Sequence, residues 1–135
     1  MISRRKGPVR YGQRLCHVAM VFLLGAAACD SGPSGPGTLE ARVQADALGA
    51  AVLEVEGGGI QGFVGRGSTQ VYSGAVPGRA GVHRVIVVDP VGGDIVFEVE
   101  VDDVRMDGPI VTVVKAANTG NVPMSVSGVT VRIER

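Results

Sequence analysis

The stretch Asp94-Ile-Val-Phe-Glu-Val-Glu-Val101 decides the fold. Ile95, Phe97, Val99 and Val101 alternate with Val96, Glu98 and Glu100. An extended chain sends successive side chains to opposite faces, so this is a strand with one apolar face for a core and one carboxylate-rich face for water. Val129, Val131 and Ile133 alternate with Thr130, Arg132 and Glu134 in the same way. The unbroken apolar run Val85-Ile86-Val87-Val88 predicts a central strand covered on both faces, and Ile110–Ala116 is similar. Shorter strands are expected over Leu39–Val43, Ala51–Glu56, Thr69–Ser73 and Val122–Val126. Leu39, Val43 and Ala47 also fit a helical face, but Gly49 and the β-rich surroundings favour a strand there.

Turn residues separate these runs: Gly57-Gly58-Gly59, Pro77-Gly78, Asp89-Pro90-Val91-Gly92-Gly93, Asp107-Gly108-Pro109 and Thr119-Gly120-Asn121. Seven to nine short strands at this spacing predict an all-β fold, a single antiparallel β-sandwich over residues 38–135. A chain of 135 residues is too short for two such domains.

The net charge of zero hides two unlike parts. Arg4, Arg5, Lys6, Arg10 and Arg14 precede any acidic residue, the first of which is Asp30. From residue 29 onward 13 acidic residues face 8 basic ones, a net charge of −5. The basic start, the eleven-residue apolar run Val18–Ala28 and the small residues before Cys29 form a secretory signal, 1–28. The run is shorter than the ~20 residues that an ordinary membrane span requires. Residues 29–37, mostly Ser, Gly and Pro, predict a flexible tether.

Ala26-Ala27-Ala28-Cys29 resembles the lipobox of bacterial lipoproteins, although that family prefers a larger aliphatic residue where Ala26 stands. The resemblance implies that Cys29 becomes the first mature residue and carries the lipid, holding the domain at a membrane of the cell envelope; the alternative is an ordinary signal cleaved after Ala28 that leaves Cys29 a free thiol. Asp30 resembles the inner-membrane retention residue of enteric bacteria; inner and outer membrane both stay open. Cys16 lies in the segment that would be removed, so Cys29 has no disulfide partner in the mature chain.

Few residue patterns carry chemistry. Gly57-Gly58-Gly59-Ile60-Gln61-Gly62 has the spacing of a dinucleotide-binding loop, but Phe63-Val64-Gly65-Arg66-Gly67 follows where a helix must begin. A glycine-rich loop in a β-protein is the expectation. His83 is the one histidine beyond the signal, and no Ser lies in a nucleophile-elbow context around it. Glu98 and Glu100 share a strand face as ordinary polar residues. Asp102, Asp103 and Asp107 form an acidic cluster at a strand end; they are candidate calcium ligands, with Asp89 and Asp94 as contributors, but the spacing is not that of a calcium loop. An acidic turn is the plainer expectation, and no cofactor is implied. Nucleic acid is disfavoured by the negative charge and the scattered basic residues.

The segments Gly49–Val55, Val82–Val88 and Gly93–Val99, the last reading G-x-I-x-F-x-V, resemble a shortened cohesin-like or carbohydrate-binding-module-like β-sandwich. That resemblance implies non-catalytic binding of a protein or glycan at a cell surface and carries no functional residue with it. A structural component assembling through a sheet edge is the alternative, and an enzyme is disfavoured because no nucleophile, base and metal set converges.

Overall fold

The computed structural model describes residues 32–135. The expected signal, 1–28, with Cys16, and Cys29 with the first residues of the expected tether lie outside the described residues. Nine strands follow in order: β1 Gly37–Gln44, β2 Leu48–Glu56, β3 Ile60–Gly65, β4 Gln70–Ala75, β5 Val82–Val88, β6 Ile95–Val101, β7 Ile110–Asn118, β8 Pro123–Met124 and β9 Thr130–Glu134. They form two antiparallel sheets, one of four strands in the order β3-β6-β1-β9 and one of five in the order β4-β5-β2-β7-β8. The protein is an all-β sandwich, as the alternation predicts.

The core lies between the sheets. Ile95, Phe97 and Val99 on β6 are fully buried, with Ala41 and Val43 of β1 beside them in the same sheet. Leu53 and Val55 of β2 and Val85 and Val87 of β5 close it from the other sheet, all fully buried. The buried residues are largely valine, whose branching at Cβ stiffens the side chain and suits the pleat. Only β4–β5 and β7–β8 are hairpins between consecutive strands; every other pairing joins strands distant in sequence.

Four expectations are revised. β3 runs through the segment expected to be a glycine-rich loop: only Gly57–Gly59 make the turn, and Ile60–Gly65 pairs with β6. β5 is covered on one face rather than two, since Ile86 is 41% exposed while Val85 and Val87 are buried. β7 is likewise one-sided, with Ile110 exposed and Ala116 its only buried residue. The reason is shared: among the described residues nine strands make two layers and no third, so each sheet keeps an outer face. The strand expected over Val122–Val126 shrinks to the two residues of β8, after which Val126–Gly128 form a 3₁₀ turn.

The domain also begins before residue 38. Gly37 pairs with Val101, the Gly35 N–H donates to Asp103 Oδ1 at 3.1 Å, and the Val104 N–H donates to the Gly35 carbonyl at 3.0 Å. The end of the expected tether is therefore clamped to the β6–β7 connection.

Candidate functional site

The outer face of the five-stranded sheet is the most distinctive surface. Alternation turns Ala50, Val52 and Glu54 of β2 outward while Ala51, Leu53 and Val55 point to the core. Register then aligns side chains across strands. Tyr72, Ile86 and Val52 form one row, and Gln70, Val88, Ala50 and Ala117 form the next. In β7 the pairing shifts by one residue: Val52 faces Lys115 and Leu53 faces Val113, which leaves Val114 as an extra residue. This bulge keeps Val114 on the outer surface, 38% exposed.

These residues form an open trough of about 380 Å³, floored by Val52, Ile86 and Val114 and walled by Met124 and Val126 beyond β7, with Lys115 as its one charged residue. The turn that builds the far wall is held by Asn118, whose Oδ1 accepts the N–H groups of Gly120 and Val122, both at 2.9 Å. Asn121 sits in the left-handed region at φ 61°, a conformation that asparagine tolerates better than most residues. Next to the trough on β2, Glu54 accepts from Arg79 at 2.7 Å and from Arg84 at 2.5 Å. Those two bonds, Arg79 first, hold its carboxyl below the usual range. A charged row thus borders an aliphatic floor.

A second concavity is polar. Arg66, Ser68, Asp89 and Asp94 are among the residues lining an open cleft of about 500 Å³. Asp89 is buried, which pushes its carboxyl up, but donors outweigh that cost and the net direction is down. They are the Ser68 hydroxyl at 2.9 Å and the Val91 N–H at 2.9 Å, with Thr69 Oγ1 and the Gly92 N–H adding to them. Asp94 accepts from Gln44 at 2.8 Å and Arg42 at 3.3 Å. Both carboxylates are engaged in holding loops to strands.

The acidic cluster has the same character. Asp103 Oδ1 accepts the Arg105 N–H at 2.9 Å as well as that of Gly35, and these bonds, Arg105 first, lower its carboxyl from the ordinary value. Among the described residues no three side chains of metal-binding type come together, so Asp102, Asp103 and Asp107 are near in sequence without forming a ligand set. Asp89 and Asp94 line the polar cleft instead of joining that cluster. His83 packs edge-on against Phe63, ring centres 5.6 Å apart. Glu98 pairs with Arg66, and Glu100 is exposed on the same outer face.

Comparison with known proteins finds no matching family model, no matching curated protein and no matching solved structure. The surface itself therefore has to carry the functional reading. Sequence reasoning missed the trough because Ile86 and Val114 sit in continuous apolar runs, which read as strands buried on both sides. A count of layers was the available signal: among the described residues no segment remained to cover the second face.

Proposed function

We propose that this protein is an exported, non-catalytic binding module, tethered to a membrane of the bacterial cell envelope through lipidated Cys29, that captures a protein partner in the aliphatic trough of its five-stranded sheet. The trough carries the reading. Ile86 and Val114 stand exposed on its floor beside half-buried Val52, with exposed Val126 on its wall, and together they give an aliphatic concavity that apolar side chains of a partner can fill. Protein is favoured over glycan because Tyr72, paired with Ile86 at the trough's margin, is the only aromatic ring on that outer face among the described residues, whereas sugar recognition leans on stacked rings. The engaged states of Asp89 and Asp94 and the packing of His83 on Phe63 support a non-catalytic role.

Two experiments test the proposal. Fractionation of cells expressing the full chain should find wild type with the membranes and Cys29→Ala in the soluble fraction; a fully membrane-bound Cys29→Ala would overturn lipid tethering. For the trough, the wild-type chain should capture an envelope protein saturably. Ile86→Arg should abolish that capture, and Glu100→Arg on the opposite sheet should preserve it. Capture that survives Ile86→Arg, or a saturable glycan ligand in its place, would overturn the site.

A further inference from the structure

The edge of β7, which adjoins the trough at Val114, carries a second conclusion from a different observation, its unpaired backbone. β2 pairs with one side of β7 along its length, but β8 covers the other side only at Ala116 and Ala117. Among the described residues no strand pairs with Ile110 to Lys115 on that side, and the 3₁₀ turn Val126–Gly128 flanks only the end next to β8, so this stretch is an unpaired edge of the five-stranded sheet. Unpaired edge N–H and C=O groups are a template for another strand, and proteins usually blunt them with charge, proline or brevity. The window Ile110-Val-Thr-Val-Val114 holds no charge, no proline and no glycine; Lys115 and the bulge at Val114 lie at its β8 end and leave Ile110 to Val113 without such a device. Ile110 is 68% exposed, Thr112 and Val114 are exposed beside it, and Val111 and Val113 point inward, half-buried against the core. The other edges differ. β9 places Arg132 at its midpoint and Glu134 at its end, β8 is two residues long, and β3 and β4 lean together along the opposite flank.

We propose that the β7 edge is a homodimer interface, in which Ile110–Val114 pairs antiparallel with the same segment of a second copy of this chain about a two-fold axis at Thr112. The occupant follows from self-complementarity, which a two-fold contact requires. That axis sets Thr112 against Thr112, Ile110 against Val114 and Val111 against Val113 of the second copy. Each pair is apolar against apolar or threonine against threonine, the combinations that stabilise neighbouring strands, and no like charges meet. The same operation at the midpoint of β9 would oppose Arg132 to Arg132. β8 closes the window at one end, and Pro109, which has no N–H to donate, closes it at the other. The result joins two five-stranded sheets into one of ten. Five residues a side bury less than the roughly 1,000 Å² of a stable stand-alone interface, so the dimer is weak and concentration-dependent.

Sedimentation equilibrium of the full chain in mild detergent, from micromolar to millimolar concentration, tests this. Wild type should pass from monomer to dimer across that range. Thr112→Lys and Thr112→Glu should each weaken association about tenfold, since two like charges then face each other in place of a threonine pair. An equimolar mixture of the two variants should regain wild-type association, because opposite charges now meet at the axis. Thr130→Lys on β9 should leave association unchanged, and circular dichroism should show every variant folded. The interface is overturned if wild type stays monomeric throughout, if either Thr112 variant dimerises as wild type does, or if the mixture associates no better than its components. Dissociation by Thr130→Lys would overturn it as well and move the contact to β9.

Discussion

Asp89 shows how a single carboxylate holds a turn. Its side chain gathers two hydroxyls and two backbone N–H groups, and it joins the start of β4 to the loop that leaves β5. Asp89→Ala would strand the buried Thr69 hydroxyl and take the acceptor from the part-buried Ser68 hydroxyl and Val91 N–H. We expect a loss on the order of 1–3 kcal/mol, read by urea denaturation; a loss near zero would mean the loop re-forms its bonds without the carboxylate. The pH dependence has a definite sign. Because the folded carboxyl titrates below its unfolded value, its contribution is complete above about pH 4 and fades as the pH falls through the lower folded value. The stability gap between wild type and Asp89→Ala should therefore narrow on acidification and hold constant from neutral pH upward.

At the scale of elements, the contact of β2 with β7 sets the shape of the candidate site. The pairing shifts twice, once near Gly49 and once at Val114. Gly49 is required at the first shift, since a Cβ there would stand 2.6 Å from the Thr119 Cα and 2.7 Å from its nitrogen, backbone atoms that cannot swing aside. Gly49→Ala should cost about 1–3 kcal/mol as the strands separate. It should also perturb the trough, whose far wall grows from the same turn, so capture of a partner should weaken in the folded variant. Binding and stability both at wild-type levels would show that β2 and β7 can repack around the methyl group. The strand β3 makes a related point about what sequence shows. Gly62 and Gly65 interrupt its alternation, so Ile60–Gly65 reads as loop, and only pairing with the strongly patterned β6 makes it a strand.

The whole molecule is a sandwich whose pairings are mostly non-local. β1 pairs with β6 and β9, and β2 with β5 and β7, so long loops must close before either central strand gains its neighbours. Loop closure of that kind is slow, and refolding of the domain should take milliseconds to seconds; stopped-flow refolding in microseconds would contradict this account. The same topology leaves one edge of β7 without a strand partner over six of its nine residues and, among the described residues, leaves both outer faces without a covering layer.

The sequence by itself determined the fold class, because a period of two in β6 and β9 leaves an extended chain one way to bury its apolar half. It also located most strands, since valine-rich runs end at glycine and proline turns that physically interrupt pairing. Tertiary structure alone decided which apolar residues face water. Within a continuous run such as Val85–Val88 or Ile110–Ala116 both faces are apolar, and the choice between one covering layer and two depends on how many layers the whole chain can build. Nine short strands build two, and the apolar side chains left over on β5 and β7 became the trough and the free edge.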